Sequence, residues 1–203
     1  MIYLDFKNLK TQIMKRILFT LCLSLLTIIS FAQAPTFTLS EEKPTFPNQF
    51  VIIEVDGLTI PEGYSRALEW INITYNTPSE VIKSQVENKY IRIQGIVKSL
   101  HSIGSLVPLT NVRYLIEFKF KDNKVKFDVI ELEWYAAPSQ YGPGGWSNFA
   151  LDNTKLYKKN GKPKKGYAKN VERVMSYFNE LVLSMDTYIK NPIGENESGD
   201  DDW

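Results

Sequence analysis

Apolar and polar positions alternate along much of the central chain, which is the pattern of β-strands with one buried face. The alternation predicts a first strand over 50–55, a hairpin over 80–86 and 90–98, and a longer hairpin over 111–120 and 125–134. In the strand over 111–120, the inward residues are Val112, Tyr114, Ile116, Phe118 and Phe120. Because short turns join successive strands, the sheet is predicted to be mostly antiparallel.

Two of these strands carry an irregularity. In the strand over 90–98, Ile91, Ile93 and Val97 face inward, and Gly95 occupies the inward position between them. A glycine at such a position predicts a β-bulge. In the strand over 125–134 the alternation changes phase, with Phe127 and Val129 on one face and Ile130, Leu132 and Trp134 on the other.

Two further segments have the 3–4 spacing of amphipathic helices. The first begins at Thr59, where Glu62 three residues later completes a predicted capping box, and it ends before Pro78. Its buried stripe is predicted to be Tyr64, Ala67, Leu68, Ile71 and Tyr75. The second spans about 170–190, is stopped by Asn191-Pro192, and has a predicted stripe of Val171, Val174, Phe178, Leu181, Met185 and Tyr188.

The order strand, helix, four strands, helix predicts an α+β fold of two layers, with a mostly antiparallel sheet and two helices on one face. We expect a single domain over 50–192, preceded by an extended lead-in over 33–49. Residues 135–169 show no clear period and are predicted to form a long loop. The last residues, 193–203, are acidic and are predicted to be disordered.

The N-terminus has the three parts of a secretory signal peptide. Met14, the expected true start, precedes Lys15-Arg16 and an apolar run over 17–29, and small residues lead to a cleavage site between Ala32 and Gln33. Thirteen residues are fewer than the roughly 20 that span a bilayer. Export to the periplasm or the extracellular space is therefore predicted, with no transmembrane segment after cleavage. Cleavage two residues later and an uncleaved anchor are the alternatives.

Removal of residues 1–32 limits the chemistry of the mature chain. Four basic residues and one acidic residue are lost, so the formal net charge falls from +1 to −2. Cys22, the only cysteine, is lost as well, which excludes cysteine proteases, thioredoxin-like enzymes and zinc fingers. We predict no cofactor and no metal site.

Several segments carry a resemblance to a known family; they are 51–57, 64–71, 81–86, 91–95 and 114–118. In these segments the chain resembles the secreted bacterial domain-of-unknown-function family 4468, over roughly residues 50–136. The resemblance implies a TATA-binding-protein-like (TBP-like) fold and export. It assigns no activity, and export argues against nucleic acid as a partner.

Candidate catalytic residues are few. His101 is the only histidine, and the sequence contains no Gly-x-Ser-x-Gly motif that would supply a nucleophilic serine for it to activate. It is therefore predicted to be an ordinary loop residue. Glu131 and Glu133, two apart on a strand, place their carboxyls about 7 Å apart, which overlaps the range of about 6.5–9.5 Å in inverting glycosidases. A glycan-acting envelope hydrolase that uses Glu131 and Glu133, with Asp152 as a third acid, is therefore an alternative function.

The predicted loop concentrates aromatic and basic residues. Seven lysines fall within 155–169 without an acid among them. The candidate ligand-binding residues are Trp134, Tyr135, Tyr141, Trp146, Lys158, Lys159, Lys164 and Lys165. These residue types favour a non-enzymatic binding module of the bacterial envelope, with a glycan, a lipid headgroup or an envelope protein as its partner. The alternatives are aromatics that cover the open sheet face, a solvated lysine loop paired with the acidic tail, and a structural subunit of an envelope assembly.

Overall fold

A computed structural model describes residues 34–102, 109–140 and 142–192. The predicted signal peptide, its cleavage site at Ala32 and Gln33, and the acidic tail over 193–203 lie outside these residues. The strands are β1 (Thr45–Phe46), β2 (Gln49–Glu54), β3 (Ile82–Val86), β4 (Tyr90–His101), β5 (Thr110–Lys121), β6 (Lys124–Ala136), β7 (Gly145–Asn148) and β8 (Leu151–Asp152). The helices are α1 (Ile60–Thr74), α2 (Pro78–Val81) and α3 (Lys165–Lys190).

The main sheet is antiparallel throughout, with the strand order β2-β6-β5-β4-β3. Strand β7 pairs with the end of β6, beyond the part of β6 that pairs with β2. The predicted α+β fold is confirmed. Helix α2 is an addition to it, and the predicted strand over 80–86 therefore begins only at Ile82.

The two long helices and one face of the sheet enclose the core. The buried sheet residues include Ile53, Ile91, Ile93, Ile116, Phe118, Val125 and Phe127. The buried helix residues include Ala67, Trp70, Ile71, Val174, Phe178, Val182, Met185 and Ile189. Burial of this apolar surface is the main stabilising contribution to such a fold. Among the described residues, no helix covers the opposite sheet face.

Helix α1 begins as predicted. The Thr59 N–H donates to Glu62 Oε2 at 2.9 Å, and the Glu62 N–H donates to Thr59 Oγ1 at 3.4 Å, which is the reciprocal capping box. The predicted stripe missed Trp70, which is fully buried and donates from Nε1 to Ser184 on α3 at 3.1 Å. Tryptophan interrupts the aliphatic pattern, but its ring is the largest apolar surface on this helix face.

Helix α3 begins five residues before the predicted start near residue 170, and it ends at Lys190 as expected. Its core stripe also differs from the prediction, since Met175, Val182 and Ile189 are buried while Val171 and Leu181 are only half-buried. Over 26 residues the 3.6-residue period drifts away from a strict 3–4 alternation, so the buried stripe shifts along the helix.

Gly95 does not mark a β-bulge. The β4–β5 register runs without interruption from Tyr90 opposite Lys119 to Val97 opposite Val112. A Cβ on Gly95 would lie 2.2 Å from the Tyr114 hydroxyl oxygen, so the glycine is required because the buried tyrosine occupies the space of a side chain.

The phase change in β6 has a simple cause. Leu115 pairs with Glu131 and Ile116 pairs with Val129, so Ile130 is an extra residue in a bulge. After the bulge, Leu132 returns to the core face that Val129 occupies. The sequence-based interpretation, in which the apolar residues of this strand divide between two faces, is therefore wrong.

Part of the predicted lead-in over 33–49 is packed into the core. Phe37 and Phe46 are buried, with ring centroids 5.2 Å apart, and Phe37 also lies 6.0 Å from Phe127. The side-chain amide of Asn179 on α3 accepts from the Phe37 N–H at 2.7 Å and donates to the Phe37 carbonyl at 3.2 Å. This segment therefore contributes to the fold.

The predicted loop over 135–169 is structured in part. It contains β7, which extends the main sheet, and β8, which pairs with β1 in a two-stranded ribbon. These strands have four and two residues, which is too short for a hydrophobic period to be visible. Their pairing partners are also distant in sequence, so no local turn pattern predicts them.

Candidate functional site

A depression of about 630 Å³ opens beside the start of α3. Four of the residues that line it are lysines; the full lining is Lys158, Lys162, Pro163, Lys164, Lys165, Gly166 and Tyr167. Three of the four predicted lysine candidates, Lys158, Lys164 and Lys165, therefore line the depression. Lys162, which belongs to the predicted lysine run but not to the candidate binding residues, also lines it, whereas the predicted Lys159 does not.

Local backbone geometry brings these lysines together. The Lys158 N–H donates to the Lys162 carbonyl at 2.8 Å, and the Gly161 N–H donates back to the Lys158 carbonyl at 2.9 Å. Gly161 has φ +75°, a conformation that glycine adopts without strain. The Lys164 N–H then donates to the Leu156 carbonyl at 2.8 Å, which closes the loop ahead of the helix.

The depression is strongly electropositive. Lys164 is the N-cap residue of α3, where no side chain caps the helix and the first turn contains no acid. The partial positive charge of a helix N-terminus therefore adds to the four ammonium groups. No carboxylate is among the described residues that line the depression. The Asp152 N–H donates to the hydroxyl of the lining residue Tyr167 at 2.6 Å, and the Asp152 carboxylate pairs with Lys155 at 3.7 Å. The arrangement can bind an anionic group.

The predicted aromatic candidates divide between the two faces of the sheet. Tyr135 pairs with Trp146 across β6 and β7, and their ring centroids are 5.3 Å apart. The Arg113 guanidinium lies over the Trp146 ring at 4.6 Å. Trp134 points to the other face, as residue alternation requires, and its ring lies 6.4 Å from that of His101. The candidate Tyr141 lies outside the described residues.

Of these aromatics, Tyr135 and Trp146 therefore form a pair on the open sheet face. The Arg113 side chain that covers Trp146 also donates from Nε to Glu133 at 2.5 Å. Arg113 was not a predicted site residue. Its role follows from cross-strand register, since it lies opposite Glu133, and sequence spacing alone does not reveal that register.

The three carboxylates of the alternative hydrolase are in different surroundings. Glu133 is bound by Arg113, and Asp152 accepts from the Thr154 hydroxyl at 2.7 Å and from its N–H at 2.9 Å. Glu131 lines a separate shallow depression of about 370 Å³, near the bulge at Ile130. Glu133 and Asp152 do not line that depression. Among the described residues that line that depression, Glu131 is the only one with a carboxylate.

His101 is buried, with 7% of its surface exposed. Its ring stacks on Phe149 at 4.1 Å, and its Nδ1 lies 2.9 Å from the Asn170 side-chain nitrogen, which can only donate. Nδ1 is therefore the acceptor of a neutral imidazole. Burial, and secondarily the charge of Arg173, lower the pKa of His101 to about 4. The residue belongs to the core of this end of the sheet.

We expect stability to fall as the pH is lowered from about 6.5 to 4. In the unfolded chain His101 titrates near its usual pKa of about 6.5, whereas the folded chain takes up the proton only near pH 4. This difference in pKa predicts that the free energy of unfolding falls by about 2 to 3 kcal/mol, and the loss is complete below pH 4. Urea unfolding across this pH range measures it. His101→Gln keeps an acceptor for Asn170 and should flatten the dependence; an unchanged slope would refute the assignment.

Two absences among the described residues bear on the site. Within 34–102, 109–140 and 142–192, no group of three or more His, Cys, Asp or Glu side chains is placed to hold a metal ion. No helix in the same residues is long and apolar enough to cross a membrane.

Two solved structures resemble this chain. One is a DUF4468 family protein from Bacteroides ovatus, with a TM-score of 0.56 and 14% identity over 79% of this chain and 93% of that chain. The other is a TBP-like protein from Parabacteroides distasonis, with a TM-score of 0.50 and 12% identity over 76% of this chain and 97% of that chain. No family model matches the sequence, and no curated protein matches it. The expected TBP-like fold, shared with a family 4468 protein, is therefore confirmed; identities this low show the fold alone.

Proposed function

We propose that this protein is a non-enzymatic, exported binding module of the bacterial envelope that holds an acidic glycan in the lysine-lined depression at the start of α3. The observation that carries the proposal is the convergence of Lys158, Lys162, Lys164 and Lys165 on one concavity without a lining carboxylate. Each ammonium group offers three donors to carboxylate or sulfate oxygens. The signal-peptide pattern over 14–32 supports the export in this proposal.

The shape of the site favours a glycan over a lipid surface. The lysines surround a concavity, whereas proteins that lie on a membrane insert protruding apolar side chains among the headgroups. Tyr157 is half-exposed and forms a backbone bridge with Pro163, which is one of the lining residues. An exposed aromatic ring beside such a depression is suited to stacking on the apolar face of a sugar.

Acidic polysaccharides are expected to stabilise the mature chain against heat. At about 100 times Kd, the gain of roughly 2.7 kcal/mol raises the Tm by roughly 5 to 10 °C. Polygalacturonate and heparin are the anionic probes, dextran is the neutral control, and phosphatidylglycerol vesicles test the lipid alternative. The shift should shrink as the ionic strength rises, because salt screens exposed charges.

Matched variants locate the binding. The triple variant Lys158→Gln, Lys162→Gln and Lys164→Gln should lose the shift, and Lys159→Gln, a neighbour outside the depression, should keep it. A second triple variant neutralises the exposed Lys43, Lys83 and Lys98 and controls for net charge. An equal loss of the thermal shift in both triple variants would mean that only net charge matters, and it would contradict the proposal. A thermal shift with vesicles but not with acidic polysaccharides would contradict it as well.

A further inference from the structure

A second cluster of lysines lies at the other end of the sheet, on the face without helices. A depression of about 490 Å³ opens between the β3–β4 turn and the β5–β6 turn. Five lysines and one amide contribute to its lining: Lys89, Lys119, Lys121, Lys124, Lys126 and Asn88. Asn170, near the start of α3, contacts His101 at the far end of β4, so this cluster is remote from the depression described above.

The strand register places like charges directly opposite each other. Lys119 faces Lys126 across β5 and β6, and Lys121 faces Lys124 in the adjoining position. Like charges in directly opposed positions destabilise a sheet. Two adjoining pairs of this kind are therefore a cost to the fold, and a bound anion would remove it.

Acidic side chains neutralise only part of the cluster. Lys119 Nζ lies 2.7 Å from Glu117, and Lys126 Nζ lies 2.6 Å from Asp128. Glu117 is 4% exposed; burial would raise its pKa, but the hydrogen bonds from Lys119 and Arg92 outweigh burial and lower it. Glu117 is therefore a fixed anionic anchor. Since a lysine has three donors, the two inner ammonium groups are held in place with donors to spare.

The outer lysines remain unneutralised. Within the described part of the chain, Lys89, Lys121 and Lys124 make no ion pair. Glu54 lies opposite Lys124, Asp122 lies in the β5–β6 turn and Glu87 lies in the β3–β4 turn. Among the described residues, none of these three acids forms an ion pair. Three free ammonium groups and two anchored ones thus border one depression.

We infer that this depression binds a compact, multiply charged oxyanion of the phosphate or sulfate ester class. Neighbouring strands are about 4.8 Å apart, and residues two apart on a strand are about 6.7 Å apart. The four β5 and β6 lysines therefore stand at the corners of a small rectangle, from which flexible side chains can converge on one group. The inference concerns a different site from the one proposed for acidic glycans.

Isothermal titration of the mature chain with tripolyphosphate at low ionic strength tests the inference. We expect saturable binding that weakens by about tenfold or more in the variant Lys121→Gln, Lys124→Gln. The same variant should unfold at an equal or higher temperature, because a repulsive pair has been removed. Glucose 6-phosphate and glucose 6-sulfate, titrated in parallel, distinguish the two ester classes.

Two controls make the result specific. The exposed pair Lys43→Gln, Lys98→Gln removes the same charge elsewhere and should leave the affinity unchanged. The triple variant of the α3 depression should also retain binding, which separates this site from the proposed function. Absence of binding, or an equal loss in the Lys43 and Lys98 variant, would overturn the inference; loss only in the α3 triple variant would do so as well.

Discussion

Replacing Gly95 with alanine is expected to destabilise the fold by about 3 kcal/mol or more, although alanine is normally a mild substitution in a strand. The new Cβ would lie 2.2 Å from the Tyr114 hydroxyl oxygen and 2.3 Å from its ring carbon Cζ. Tyr114 cannot move aside easily. Its hydroxyl lies 3.0 Å from that of Tyr75 and 3.1 Å from that of Tyr177, and its ring packs on Phe178 at 5.5 Å.

Chemical denaturation of Gly95→Ala measures this effect, and Gly142→Ala is the matched control. A Cβ on Gly142 would have no atom within 4 Å, so we expect a change of less than about 1 kcal/mol there. The double variant Gly95→Ala, Tyr114→Leu should cost clearly less than the sum of the single variants, because the ring that causes the clash is gone. A mild effect of Gly95→Ala, similar to that of Gly142→Ala, would contradict the packing described here.

The second large effect is expected for Phe37→Ala, with a loss of about 3 to 5 kcal/mol. Phe37 is 2% exposed and packs against Phe46 and Phe127, so truncation leaves a cavity in the core. Phe50→Ala is the control for the same chemical change at an exposed position, since half of Phe50 is in solvent. It should cost about 1 kcal/mol or less, including the contact of its ring with Lys126.

This prediction concerns the start of the folded domain. A chain that begins at residue 50, the start expected from the sequence, would lack Phe37, Phe46 and β1. We expect it to lose cooperative unfolding, whereas a chain that begins at residue 34 should keep it. Equal stability of the two chains, or of Phe37→Ala and the unmodified chain, would show that the segment is dispensable.

Much of the fold could be predicted from the sequence, because the apolar residues of its long strands and helices recur with a regular period. The strand predicted over 111–120 agrees with β5 to within one residue at each end, and the predicted capping box at Thr59 is present. The remainder depends on contacts between distant residues. The bulge at Ile130 is defined by its pairing with β5, and the burial of Phe37 depends on α3, which lies 142 residues further along the chain at Asn179.

The candidate site, too, could be predicted from the sequence only in part. A run of seven lysines is visible in the sequence. Which of these lysines line the depression depends on the turn at Gly161, because Lys162 lines it and Lys159 does not. The aromatic candidates were predicted as one group, and strand alternation separates Trp134 from Tyr135. The lysines of the β5–β6 end do not stand out in the sequence as one cluster, because they are spread over 89–126 and only the strand register brings them together.

The depression at the start of α3 is proposed to bind an acidic glycan, and an NMR titration with polygalacturonate oligosaccharides tests this binding most directly. Backbone amide and lysine side-chain signals of the ¹⁵N- and ¹³C-labelled mature chain would be followed at two ionic strengths. We predict saturable shifts concentrated at residues 158–167, with weaker binding at the higher ionic strength. Shifts confined to other surfaces, or no saturable shift at any residue, would contradict the claim.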